Sequence, residues 1–407
     1  MTAEYPVVAW VDDTPGRYFA RLIDGAWAIT KYSTLSSGPG AVAAAHPHAI
    51  TYLGYSADAG ETWGGAFLST SKRVFTSVLR HPTLFIGVTQ GCDIVVSQDR
   101  RTSTTRSTCP LTSLTGYDLS EKVLDAYLDE LDVLHIVGTY GSNVGRYYTR
   151  STDYGVTWST PVKVLEAGAS TPLRVFARGG KVVAGYYSPQ YRVSYNYWYS
   201  GYFGMTWLYI VYYWRYLYTN ISLDNGLTWG GQITYAPEHP TTGPNHYYAM
   251  DYLGYNAPCF FEEDGDLCLV TMSEDGDMPA YYEGGARPPV PYKGQGVRLF
   301  RNAGWGGTWD KDDYVIGGAG LWTGERAVQL RAAQSRNNAT DQVWCVGGGA
   351  EGTEYPDSLK VYNSGAGWAI SDLYPFPGDA EFPWPDIFDL SVSVPYYPPS
   401  TGFAYLF

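Results

Sequence analysis

Five residue types recur three times at constant spacing in this chain, in SADAGETW (56–63), STDYGVTW (151–158) and SLDNGLTW (222–229). The fixed positions are Ser56, Asp58, Gly60, Thr62 and Trp63; Ser151, Asp153, Gly155, Thr157 and Trp158; and Ser222, Asp224, Gly226, Thr228 and Trp229. Each type has a turn-building reason. A short carboxylate accepts backbone N–H bonds across a tight turn, and glycine takes the positive φ that such a turn requires. The hydroxyls satisfy further backbone groups, and tryptophan packs into the apolar seam beside the turn. Identical carboxylates in three separated turns cannot all face one substrate. The repeat therefore reads as a fastener, with any chemistry elsewhere.

The chain has 407 residues, enough for several domains or for one large closed β architecture. It carries 38 Tyr, 14 Trp, 47 Gly and 25 Pro with only 16% charged residues, a balance of strand formers and turn formers that predicts an all-β fold of many short strands. The segment SEKVLDAYLDELDVLHIVG (120–138) comes nearest to helical periodicity and runs into an apolar strand. The formal charge of −13, with no basic cluster beyond DRRTSTTR (99–106), argues against a nucleic-acid or anionic-membrane partner. The start, MTAEYPVVAWVDD, shows no basic and apolar leader, so synthesis in a cytoplasm without a signal peptide is expected. The five cysteines match no metal-ligand spacing. Cys92 and Cys109 flank one expected hairpin turn and Cys259 and Cys268 another; the expectation is buried, reduced thiols.

The octapeptide resembles the Asp-box, or bacterial neuraminidase repeat, of the sialidase superfamily. Degenerate copies extend it: SQDRRTST (97–104), SGYFGMTW (200–207), NAGWGGTW (302–309) and VYNSGAGW (361–368). Repeats at such periods point to a propeller, in which each small sheet buries its faces on its neighbours. In the resembled family the box joins the third strand of a four-stranded antiparallel blade to the fourth. Turns of that kind are expected near 13, 58, 99, 153, 224, 304 and 363, which makes seven blades. Six, as in sialidases themselves, is the second choice, and eight follows if SGYFGMTW heads its own blade. Two strands remain after Trp368, DIFDLSVSV and GFAYLF, and the N-terminus offers VVAWVDD and RYFARLI. Both ends are thus expected to share one blade and close a single-domain ring over 1–407, leaving no open edge.

The same register assigns loops to faces. Connections between second and third strands, and those between blades, fall on the face away from the boxes. Three long connections are expected there: 188–215, 236–250 and 273–296. Their aromatic residues suit stacking on a sugar ring or contact with a protein; the candidate ligand-binding residues are Tyr191, Tyr195, Tyr197, Trp198, Tyr247, Tyr248, Tyr281 and Tyr282. The 188–215 stretch reads equally as a long β-hairpin arm.

The resemblance to sialidases implies an arginine triad, a Tyr–Glu nucleophile pair and an Asp acid/base. The Phe/Tyr-Arg-Ile-Pro segment of that family is missing here; GRYFARLIDG has arginines without the pattern. Candidate catalytic residues on the loop face are Arg287 with Glu283 and Tyr282, and Glu238 with His246, while Arg326 stands beside Glu325. The acidic turns EEDGD (262–266) and SEDGD (273–277) lack EF-hand spacing and flank one strand, so ordinary turns are expected, with no metal site and no cofactor. No GxSxG, HExxH or GxxxxGK[ST] occurs. The expectation is a non-enzymatic recognition or assembly propeller, a phage virion or tail component. It would bind a glycan or a neighbouring protein subunit, as a homo-oligomer or in a larger assembly, with neither nucleic acid nor membrane as partner. An exo-glycosidase of sialidase type, acting on terminal sugars, is the alternative.

Overall fold

The structure is a computed structural model that describes residues 6–12, 16–23, 26–33, 42–45, 48–51, 54–58, 60–64, 75–80, 84–89, 91–97, 103–111, 124–140, 143–166, 173–188, 191–201, 204–214, 216–235, 247–249, 258–276, 295–316, 328–334, 343–349, 358–363, 369–375 and 386–392. Among these residues the regular structure is all strand apart from one 3₁₀ turn at Ala303–Trp305.

The first sheet holds β1 (Pro6–Asp12), β2 (Gly16–Ile23) and β3 (Ala26–Ser33), and the second holds β4 (Val42–Ala45), β5 (His48–Thr51) and β6 (Gly54–Ser56). The third contains β7 (Phe75–Arg80), β8 (Phe85–Thr89), β9 (Asp93–Ser97) and β10 (Thr104–Thr108). The fourth contains β11 (Asp125–Leu128), β12 (Leu134–Tyr140), β13 (Asn143–Ser151) and β14 (Val162–Leu165). In the fifth, β15 (Leu173–Arg178) and β16 (Lys181–Tyr187) are separated from β19 (Leu217–Ser222) and β20 (Ile233–Tyr235) by an inserted hairpin, β17 (Tyr191–Gly201) with β18 (Gly204–Trp214). The sixth comprises β21 (Tyr247–Ala249), β22 (Cys259–Glu263), β23 (Asp266–Gly276), β24 (Gln295–Asn302) and β25 (Asp310–Ile316). The seventh comprises β26 (Val328–Gln334), β27 (Val343–Gly349), β28 (Ser358–Asn363) and β29 (Ala369–Pro375). The last described strand, β30 (Asp386–Val392), returns to the first sheet and pairs antiparallel with β1, from Pro6↔Val392 to Val11↔Asp386.

The edge strands β30, β4, β7, β11, β15, β22 and β26 touch one another in that cyclic order, and β26 touches β30 again. This is a closed β-propeller of antiparallel sheets, with the first and last described strands in one sheet. Closure removes the open edges that a row of such sheets would otherwise carry.

The burial pattern follows from this packing. A strand in the middle of a sheet is covered on both faces by neighbouring sheets, so β8 (FIGVT) and β9 (DIVVS) are buried at every position instead of alternating. The outer strand β10 (TTRST) is exposed or half-buried throughout. The cores therefore lie between sheets. Ile86, Val88 and Ile94 of the third sheet share one cluster with Ala126, Leu134 and Ile136 of the fourth. A second seam joins Tyr148 to Val182 and Tyr186, and a third joins Val183 and Leu217 to Phe260 and Leu269. Inner strands are tied by side chains as well: Asp125 accepts bonds from Arg174 Nη1 (3.2 Å) and the Val175 N–H (3.0 Å). Gln334 spans the sixth and seventh sheets, receiving the Glu262 N–H (3.0 Å) and donating to the Glu262 carbonyl (2.5 Å).

Three sequence expectations change. The N-terminus supplies three strands of the closing sheet rather than two, because β30 takes the inner place and β1 becomes second. The turn near 13 then joins second to third strand, and the third-to-fourth connection of that sheet falls between Ile23 and Ala26. SGYFGMTW spans the bend of the β17–β18 hairpin and heads no sheet of its own, which identifies 188–215 as the hairpin arm. SEDGD is strand rather than turn over Ser273–Gly276, where the end of β23 pairs with β21 and β24. GFAYLF and the turns near 99 and 363 lie outside the described residues.

Ile136→Ala should lower stability by about 2–5 kcal/mol in urea denaturation, since it opens a cavity at a fully buried seam. Thr105→Ala on the exposed strand β10 should change it by under about 0.5 kcal/mol.

Candidate functional site

The three octapeptides fold into turns with the same serine, aspartate, glycine and threonine hydrogen bonds, each joining the third strand of its sheet to the following segment. Serine comes first. Its buried hydroxyl accepts the glycine N–H at 2.6, 2.7 and 2.8 Å in the turns of Ser56, Ser151 and Ser222. The same hydroxyl donates to the aspartate Oδ1 at 2.7, 2.7 and 2.8 Å. That Oδ1 accepts the threonine N–H at 2.9, 2.8 and 2.7 Å, while Oδ2 accepts the threonine hydroxyl at 2.5, 2.6 and 2.6 Å. Both carboxylate oxygens are thus engaged within the turn. Gly60, Gly155 and Gly226 hold φ of +87°, +88° and +80°.

These bonds keep the carboxylates ionised. Asp58 is lowered to about 2, chiefly by the Thr62 hydroxyl, then by the Thr62 N–H and Ser56. Asp224 is lowered to about 2 by the equivalent contacts from Thr228 and Ser222. At Asp153 partial burial pushes upward, but the bonds from Thr157, Ser151 and Val156 outweigh it and leave the group below its ordinary value. Carboxylates held this way are poor proton donors or acceptors near neutral pH.

The turns also grip the preceding sheet, and sequence reasoning missed the residues that do so. Arg21 Nη1 on β2 donates to the Asp58 carbonyl (3.3 Å), Arg106 Nη1 on β10 to the Tyr154 carbonyl (3.4 Å), and Arg150 Nη1 on β13 to the Asn225 carbonyl (2.6 Å). The separations of 37, 48 and 75 residues follow no period, so no spacing betrays them. Each glycine faces the preceding sheet: a Cβ would sit 2.5 Å from Phe19 at Gly60 and 2.9 Å from Ile94 at Gly155, and at Gly226 it would run into the Tyr148 hydroxyl. Trp63 stacks edge-on to Phe19 (5.1 Å) and Trp229 edge-on to Tyr148 (4.9 Å). Trp158 donates to the Ser107 hydroxyl at 3.3 Å. The degenerate turn at 302–309 works similarly, with the Trp309 indole N–H bonded to Thr219 Oγ1 (3.0 Å) on the preceding sheet.

One buried chain has residue types familiar from proton relays. His135 Nδ1 lies 2.7 Å from the Tyr148 hydroxyl and Nε2 3.0 Å from Asp129 Oδ2, while Asp129 Oδ1 accepts the Leu131 and Val133 N–H groups. All three side chains are buried, and burial pushes the Tyr148 hydroxyl well above its usual range. Sealed inside a seam, they bind a hairpin turn to the next octapeptide rather than meet a substrate.

The acidic turn at 262–266 is used internally too. Glu262 receives Lys181 Nζ (3.3 Å) and the Trp305 indole N–H (3.1 Å), Glu263 pairs with Arg301 (2.5 Å), and Asp266 accepts the Gly304 N–H (2.7 Å). Asp264 and Gly265 take φ of +53° and +86°, the pattern of a tight type I′ hairpin. Among the described residues no group of three or more His, Cys, Asp or Glu is placed to hold a metal. Cys92, Cys109, Cys259 and Cys268 are buried thiols.

Of the loop candidates, Tyr191, Tyr195, Tyr197 and Trp198 lie on β17, and Tyr247 and Tyr248 on β21. β18, the partner of β17, lies against β21. Tyr281, Tyr282, Glu283, Arg287, Glu238, His246, Glu325 and Arg326 lie outside the described residues.

No protein-family model and no curated protein matches the chain. Among solved structures it is similar to YCF48 from Cyanidioschyzon merolae, at 11% identity over 87% of this chain and 94% of that one, with a TM-score of 0.40. YCF48 bound to D1 peptide gives 13% identity, 90% and 81% coverage and a TM-score of 0.39. A thermostable family-43 glycoside hydrolase gives 10%, 76% and 94%, and 0.33. Likeness this distant carries no argument about function, and the propeller rests on the strand order itself.

Ser151→Ala should cost about 1–3 kcal/mol in chemical denaturation, the penalty of leaving the buried Gly155 N–H without an acceptor. Acid titration of stability provides a second check. Because the folded carboxyls of Asp58 and Asp224 lie near 2, their contribution is complete above the unfolded value of about 3.9. It should fade as pH falls from about 4 towards about 2, and Thr62→Val with Thr228→Val should flatten that fall.

Proposed function

We propose that this chain is a recognition and assembly propeller, not a hydrolase, and that its octapeptide turns are Asp boxes of the sialidase-superfamily type. Its contact surface is formed by 188–215, 236–250 and 273–296, on the end of the ring away from those turns. It meets a glycan or a neighbouring protein subunit there, and its setting is a phage virion or tail. One observation carries the reading. The β17–β18 hairpin is inserted between the second and third strands of the fifth sheet, so it leaves that sheet at the end opposite the Ser222–Trp229 turn. The long strand β23 reaches the same end of the sixth sheet, where its last residues pair with β21 beside β18. Residues of the types found on these strands, Tyr and Trp, suit sugar stacking and protein contact alike. The octapeptide carboxylates, occupied within their own turns, support a binding role over proton-transfer chemistry.

Incubation with a fluorogenic sialoside and a panel of other glycosides should give no turnover; hydrolysis abolished by Arg287→Ala or Glu283→Gln would overturn the reading in favour of an exo-glycosidase. A glycan array with sizing chromatography should show a bound glycan class or a protein partner. Trp198→Ala should then weaken that contact by roughly 30-fold, as expected for a hot spot of about 2 kcal/mol.

A further inference from the structure

The outer edge of β17 has the form of a docking edge. β17 and β18 pair over their full length, from Tyr191↔Trp214 to Gly201↔Gly204, with no register shift. Each strand has 11 residues, about 37 Å at antiparallel rise. Among the described residues β17 is bonded only to β18, and β18 lies beside β21 without joining its sheet. A two-stranded ribbon is marginal on its own in water. Natural edges are guarded by charges, proline, bulges or short length. β17, YRVSYNYWYSG, has a single charged residue, Arg192 near its start, and no proline or bulge.

Charge distribution names the occupant. The chain carries 40 acidic residues and a net charge of −13, yet no Asp or Glu occurs between Glu166 and Asp224. The ribbon lies within that acid-free stretch, where two copies of an otherwise acidic chain approach with least repulsion. We infer that β17 pairs antiparallel with β17 of a second copy across a twofold axis, forming a four-stranded ribbon. An edge paired with its own copy is isologous and closes at two subunits. The inference rests on the recognition reading and names its partner.

The register also says where to test it. With a two-residue connection, Gly201 and Gly204 form a hydrogen-bonded pair, so alternate pairs such as Asn196↔Tyr209 are non-bonded. The Asn196 N–H and C=O therefore point to the outer edge. Asn196→Pro removes one outward donor without taking a bond from the β17–β18 ladder. Ser194→Glu with Asn196→Glu instead places charge along the edge.

Sedimentation velocity of the full chain, from about 1 to about 100 µM, reads the result. The mass should double with concentration, and the dimer fraction should rise between about 0.05 and 0.5 M salt, since salt screens two like-charged bodies. Both variants should remain monomeric at about 100 µM with unchanged melting. A wild type that is monomeric at every concentration and salt, variants that dimerise as well as the wild type, or a dimer that dissociates as salt rises would each overturn the inference. A monomeric wild type that still binds a glycan would sink the dimer alone and leave the recognition reading standing.

Discussion

The structure depends on one small set of bonds, the serine hydroxyl and aspartate carboxylate that close each octapeptide turn. Serine satisfies the N–H of a glycine that must lie flat against the preceding sheet, and aspartate pins the threonine that follows. With the turn shaped in this way, its backbone carbonyl meets an arginine from the neighbour, as Arg150 meets Asn225. Local turn chemistry is thereby converted into contact between sheets. Each sheet of a propeller is too small to bury its own faces, so such contacts decide whether the ring holds.

The aromatic and arginine contacts fall on the same side of each turn. Trp63 and Gly60 meet Phe19, Trp229 and Gly226 meet Tyr148, and Gly155 meets Ile94. Tyr148 in turn reaches His135 and Asp129, so the third turn is coupled through a buried chain to a hairpin at the second strand of the preceding sheet. Such a network is costly to leave half-made and rigid when complete. The β17–β18 ribbon stands outside these sheets as a two-stranded sheet of its own.

Much of the architecture was legible because its determinants are local. Three repeats of Ser-x-Asp-x-Gly-x-Thr-Trp spell a turn with a required positive φ, and continuous apolar runs such as FIGVT and DIVVS mark strands covered on both faces. The sharing of one sheet by both ends was legible from the strands left over after the last repeat. Its division was not, since only pairing shows that β30 takes the inner place and shifts the turn near 13 to the other end of the sheet. The arginine contacts were hidden for a similar reason. They join residues 37 to 75 positions apart, and that distance varies with the length of each intervening loop. SGYFGMTW shows the opposite failure, a string that keeps four of five letters yet lies at the bend of a ribbon, because Tyr202 in place of aspartate lacks the acceptor that closes the turn.

The most direct test of the account is a double-mutant cycle across one seam, with Phe19→Leu on β2 and Trp63→Leu in the first octapeptide, followed by equilibrium denaturation. Their rings meet edge-on at 5.1 Å across two sheets. If the turns bind sheet to sheet, the two changes couple by about 0.5–1.5 kcal/mol. Additivity within about 0.3 kcal/mol would mean that each turn serves its own sheet alone, and that the ring is held by something else.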